Sequence, residues 1–190
     1  MLVLGAFLAG LVLFSAVIFI VTGRAPTPVA MTASIGGPFR LVDQNDKPIT
    51  EQDLKGKPFL VFFGFTHCPD VCPTTLFDVS EILRALGPDA NKTRALFITV
   101  DPERDTPAVM KDYLSSFDPH LVGVTGDTAA IASVEKGYRV YAKKVPLDGG
   151  SYTMDHTAIV YLMDKDGRFV APFNMKRRPE EAAADLKKYL

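Results

Sequence analysis

Phe62-Phe63-Gly64-Phe65-Thr66-His67-Cys68-Pro69-Asp70-Val71-Cys72-Pro73 is the stretch on which the reading of this chain turns. It holds both cysteines of the protein and falls where an apolar run ends and a helical pattern begins. Leu60 to Phe65 is a short continuous apolar run, the pattern of a buried strand, while Leu76, Val79, Leu83 and Leu86 recur on one face of a helix. Pro73 suits the first helical turn, and Gly87-Pro88 closes the far end. Cys68 and Cys72 therefore flank a strand-to-helix junction, beside the unpaired N–H groups and positive end of the helix. That position favours thiolate over thiol, and the thiolate is both the nucleophile and the metal ligand.

Working outward, Phe39 to Val42 and Pro48 to Thr50 read as a short hairpin turned by Gln44-Asn45-Asp46-Lys47. After the first helix, Ala95 to Val100 is a second strand-length apolar run, and Asp105 or Thr106 caps a helix that has Pro107 just inside it and runs to about Phe117. Leu121 to Val124 reads as a strand and Ala129 to Tyr141 as a helix. Val145 to Asp155 has no clear period and contains Gly149-Gly150, so it reads as a loop. Thr157 to Met163 and Arg168 to Phe173 form a hairpin turned by Asp164 to Gly167, and a last helix starts near Pro179. Strands alternating with helices, then a closing hairpin and helix, place the chain in the α/β class as a thioredoxin-like sandwich. Lys176-Arg177-Arg178 reads as a solvated turn.

The chain has 190 residues, of which 47% are hydrophobic, and a formal net charge of −1, which gives no reason to expect nucleic acid as a partner. Two cysteines exclude a disulfide framework and any four-cysteine zinc site. Leu2 to Thr22 carries no charge and, as a helix, would cross roughly 30 Å, the thickness of a bilayer core. A cleaved signal peptide is the alternative, but its apolar region is shorter, and Pro26 follows the nearest small-x-small site, Gly23-Arg24-Ala25. The expected organisation is a single-pass transmembrane anchor at 1–24, a linker at 25–37 and a thioredoxin-like metal-binding domain at 38–190.

A C-x-x-C pair at this junction would suggest a thiol oxidoreductase. Here the spacer is Pro69-Asp70-Val71, and a helical junction would set the two sulfurs on one face at i and i+4, able to close on one soft metal ion. Two inert buried cysteines are the bland alternative. Of the three histidines, His67 adjoins Cys68 but turns away at a strand end, and His120 lies in a remote, solvated loop. His156 ends the long loop just before a strand, where thioredoxin-like proteins place a cis-proline facing the redox pair, and Asp155 is a candidate to orient its ring. Two thiolates and one imidazole match copper better than zinc, which prefers a fourth protein ligand or an adjoining base. A peroxiredoxin reading needs threonine three residues before the attacking cysteine, and Thr66 is only two before Cys68.

Thr66 to Pro73, Val100 to Pro107 and Asp155-His156 together resemble three stretches, in order, of the Sco/SenC proteins, membrane-anchored copper chaperones of cytochrome c oxidase assembly. The resemblance covers roughly Gly36 to Phe173. It implies a thioredoxin-like fold, with one copper ion held by Cys68, Cys72 and His156, and delivery to the binuclear copper centre of cytochrome c oxidase subunit II. It also implies an inner-membrane protein whose domain faces the periplasm or the mitochondrial intermembrane space, with another copper chaperone as a candidate donor. Three functions compete on these residues. The first is a metallochaperone that needs His156. The second is a thiol–disulfide oxidoreductase that uses Cys68 and Cys72 to reduce the oxidase cysteines. The third is a copper or redox sensor, disfavoured by the single short anchor.

Overall fold

The computed structural model describes residues 35–190, together with Phe14. The expected anchor, Leu2 to Thr22, and most of the expected linker lie outside the described residues; among the described residues no helix is long and apolar enough to cross a membrane.

The chain from Ser34 to Leu190 forms one compact unit. It is built on a seven-stranded sheet of order β2-β1-β5-β4-β3-β8-β9. The strands are β1 (Arg40–Asp43), β2 (Pro48–Thr50), β3 (Phe59–Gly64), β4 (Arg94–Thr99), β5 (Leu121–Thr125), β8 (Val160–Met163) and β9 (Phe169–Pro172). The helices are α1 (Val71–Leu86), α2 (Pro107–Leu114), α3 (Thr128–Tyr138) and α4 (Pro179–Leu186). β3, β4 and β5 run parallel, joined by crossovers through α1 and α2, and β8 returns antiparallel to β3.

All six residues of β3 are buried because the sheet is covered on both faces, which is why its sequence is a continuous apolar run with no alternation. On one face Phe62 stacks on Phe97, and Phe97 packs on Tyr113 of α2. On the other, Phe63 packs on Tyr138 of α3 and on Tyr161. The β3 run therefore fixes two things at once: the centre of the core, and the level at which the next residues leave it. Those next residues carry the cysteines.

The segment expected to be a structureless loop, Val145 to Asp155, is instead most of a second sheet. β6 (Ala142–Pro146) pairs antiparallel with β7 (Tyr152–His156), in the register Ala142 opposite His156. Leu147 to Ser151 turns them, with Gly149 and Gly150 at φ of 79° and 80°, a region that favours glycine. The pattern was hard to read because β6 is exposed from Lys143 to Pro146 and so carries no apolar alternation. His156 thus ends a strand, and the strand after it begins only at Val160. The helix expected to reach Tyr141 stops at Tyr138, where Arg139 adopts a left-handed conformation.

Candidate metal centre

α1 begins at Val71, so Cys68 lies outside the helix, and the expected i, i+4 pairing on one helical face does not hold. The sulfurs still converge. Cys68 N–H donates to the Phe65 carbonyl (3.2 Å), turning the chain, and the Cys72 N–H of the first helical turn donates to Cys68 Sγ (3.4 Å). Asp70, at the N-cap position, makes no side-chain cap bond. Cys68 Sγ takes one of the donors that a capping carboxylate would otherwise satisfy.

Cys72 Sγ is buried against the end of β3. A Cβ at Gly64 would sit 2.7 Å from Cys72 Sγ and 2.7 Å from Phe97 Cε2, so the sulfur's position needs glycine there. His156 approaches from β7, its Nε2 3.5 Å from Cys72 Sγ. Its ring packs edge-on to Phe65 and Phe62, with centroids 5.8 and 6.3 Å away. One donor atom from each of Cys68, Cys72 and His156 lies within 4.8 Å of the others, and both cysteines are free thiols. His67 is exposed, its Nδ1 3.1 Å from the Thr66 hydroxyl, and takes no part in this group. His120 is held far away between Asp118 Oδ1 (2.7 Å) and Asn91 Oδ1 (3.3 Å), so it is a tethered residue and not a free solvated one.

The electrostatics revise one expectation. Burial pushes the Cys72 thiol well above its ordinary pKa, and the neighbouring Cys68 pushes it the same way, so the helix start does not by itself produce a thiolate at Cys72. A bound cation would supply the missing compensation by displacing the proton. Burial lowers the pKa of His156, which keeps the neutral, ligating imidazole. Its Nδ1 lies 3.1 Å from the Thr157 carbonyl, an acceptor that fixes Nδ1 as the protonated nitrogen and leaves the Nε2 lone pair facing the sulfurs. A backbone carbonyl does the orienting expected of Asp155, which is an exposed residue paired across the hairpin with Lys143.

The turn between β4 and α2, Asp101 to Asp105, touches both halves of the group. Asp105 is fully buried; its Oδ2 accepts from Thr66 N–H (3.1 Å) and the Thr99 hydroxyl (2.6 Å), and its Oδ1 from the Thr66 hydroxyl (2.6 Å). That ties the turn to the cysteine loop. Asp101 Oδ1 accepts from the Tyr152 hydroxyl (2.8 Å), and Arg104 Nη1 donates to the Tyr152 carbonyl (3.0 Å). That ties it to the histidine hairpin. Sequence reasoning singled out this turn as a motif without assigning it work; the Asp-Pro-Glu-Arg-Asp spacing was the available signal.

Two soft thiol donors and one imidazole, gathered at the end of a sheet with Cys72 buried and Cys68 and His156 half-buried, define a small site suited to a single soft metal ion. The fold around it is thioredoxin-like, as in solved structures of similar chains. The chain belongs to the SCO1/SenC family, whose model matches residues 28–190. It is similar to Bradyrhizobium japonicum ScoI, solved with copper bound, at 71% identity and a TM-score of 0.81, covering 83% of this chain and 100% of that one. It is similar to yeast Sco1, also solved with copper bound, at 38% identity and a TM-score of 0.75, covering 82% and 88% of the two chains. A SCO2-like protein of Rickettsia felis is 39% identical over 155 residues, 80% of this chain and 76% of that protein.

Proposed function

We propose that this protein is a copper carrier that holds one copper ion between Cys68, Cys72 and His156 and passes it to the binuclear copper centre of cytochrome c oxidase subunit II. The observation that carries this reading is the convergence of the two sulfurs and Nε2 within 4.8 Å, on a neutral imidazole and a buried thiol. Copper is preferred because three soft donors satisfy copper(I), and thiolate with imidazole also accepts copper(II). The copper-bound relatives support the same ion. Copper is the cargo here, and the protein's own residues hold it, keep it dry and release it.

In this reading the protein is anchored in the inner membrane by Leu2 to Thr22, with the domain on the periplasmic or intermembrane-space side. A separate copper chaperone is the donor. Gly36 lies beside Met163, the partner of Phe59 at the start of β3, whereas Cys72 abuts Gly64 at its end. Five strand steps of about 3.3 Å separate those levels, so Gly36 lies roughly 17 Å from the level of the metal group.

A second reading rests on the unequal burial of the thiols. Half-buried Cys68 could attack a partner's disulfide, and buried Cys72 could then resolve the mixed disulfide, oxidising this pair as the partner's cysteines are reduced. Copper titration of the purified full-length chain separates the readings. The reduced protein should bind one copper per chain with a thiolate-to-copper(II) absorption band. His156→Ala should lose that band while still exchanging disulfides. Equal copper affinity in reduced and thiol-blocked protein would refute the carrier.

A further inference from the structure

We infer that Arg104 is a positioning residue for the metal site: by clamping Tyr152 to the Asp101–Asp105 turn it sets where the β6–β7 hairpin delivers His156. The inference rests on the carrier reading and goes beyond its three ligands.

Among the described residues, the two-stranded sheet pairs with no strand of the seven-stranded one, and an isolated hairpin is marginal in water. Its position must come from side chains. Tyr152, Met154 and His156 alternate along β7 and so share one face; His156 Nε2 reaches Cys72 Sγ, and Tyr152 is held to the Asp101–Asp105 turn by hydrogen bonds. Arg104 holds it in three ways. Nη1 donates to the Tyr152 carbonyl (3.0 Å), the guanidinium lies 3.8 Å from the centroid of the Tyr152 ring, and Nε pairs with Asp101, whose other oxygen accepts from the Tyr152 hydroxyl. Lys144 closes over the same ring at 4.7 Å and is paired with Glu103 of the turn at 2.6 Å.

Arg104 also lies 5.9 Å from the Phe65 ring, whose edge contact with His156 is the other support of the imidazole. Arg104 Nη2 is buried and has no hydrogen-bond partner. An arginine's planar fork fixes direction where a lysine's flexible ammonium would not, so these contacts hold Tyr152 in one orientation. The same turn holds the cysteine loop through Asp105 and Thr66. One rigid turn therefore spans from sulfur to imidazole and sets the gap between them.

The test is a double-mutant cycle on the full-length protein, with copper(II) as the probe. Arg104→Gln should weaken copper(II) retention by roughly ten- to a hundred-fold, the usual effect of removing a residue that orients a ligand, and should shift the thiolate-to-copper(II) band. Arg104→Lys should restore only part of this. In the His156→Ala background Arg104→Gln should cause no further loss, because it acts through that ring. In the metal-free protein, amide exchange should quicken in β6 and β7 while β3 and β4 stay protected. Tyr152→Phe removes only the hydroxyl bond, should give a smaller change of the same kind, and carries the cycle if Arg104→Gln does not fold. Losses that add in the His156→Ala background, or exchange raised throughout the domain, would overturn the inference in favour of general stabilisation. If His156→Ala itself leaves copper binding unchanged, the carrier reading fails, and the exchange measurement still decides whether Arg104 holds the hairpin.

Discussion

Cys72 is fully buried, its sulfur packed against Gly64 at the end of the central strand, whereas His156 ends a strand whose partner, β6, is exposed over four of its five residues. The cysteine side belongs to the largest sheet and longest helix of the domain. The histidine side stands off α3 across a cavity of about 190 Å³ lined by Asp101, Glu103, Glu135, Lys143, Lys144 and Met154, and is held to the Asp101–Asp105 turn at Tyr152 and Lys144. A site assembled from one core-bound half and one tethered half should open at the tethered half. β6 is exposed from Lys143 to Pro146, so local opening there requires less free energy than opening the core. For a carrier, that asymmetry lets copper be firmly held by sulfur and released by moving one imidazole.

The comparison can be broken most sharply at Gly64. Gly64→Ala puts a methyl group 2.7 Å from both Cys72 Sγ and Phe97 Cε2. Because both neighbours are fully buried and have no open space to move into, the expected cost is about 1–3 kcal/mol of stability, together with displacement of the sulfur. Urea unfolding and copper affinity should therefore fall together. A Gly64→Ala protein with native stability would show that the cysteine half is as yielding as the hairpin.

The next test concerns the cavity beneath the hairpin. Burial raises the Glu135 carboxyl to about 7. A carboxyl raised on folding contributes stability that is fully present below its unfolded pKa and is lost as pH rises through 7. Unfolding free energy should therefore drop by about 1–2 kcal/mol between pH 4.5 and 7.5 from this group, less than the full shift implies because the side chain is partly hydrated. Glu135→Gln should flatten that slope. Denaturant titrations at several pH values check this, and an unchanged slope in the variant would mean that the cavity is fully wet.

The smallest effect is expected at Asp155. With the ring oriented by the Thr157 carbonyl, Asp155→Asn should change copper affinity by roughly twofold or less, the scale of an exposed charge pair. A ten-fold loss, read by competition with a copper chelator, would return the orienting role to the carboxylate.

The α/β order, the buried β3 run, the helix after the cysteines and the paired thiols were legible because each rests on local chemistry. Apolar periodicity, Pro73 inside the first turn of α1 and the Cys68–Cys72 spacing need no knowledge of distant neighbours, whereas His156 was found by its place in the thioredoxin-like pattern and by the Sco/SenC resemblance. The hairpin carrying His156 was not legible, since an edge pair exposed on one strand has no alternation to read. The protonation of Cys72 was not legible either. A helix start favours the thiolate, but full burial opposes it, and only the tertiary structure decides that desolvation wins. The same holds for Asp101, Arg104 and Tyr152. Sequence marked the first two as a motif, but their work depends on a residue 48 positions beyond Arg104, brought within 3.0 Å by the fold. Directed bonds between distant segments leave no period in the chain, because their spacing is set by topology and not by the repeat of a helix or strand.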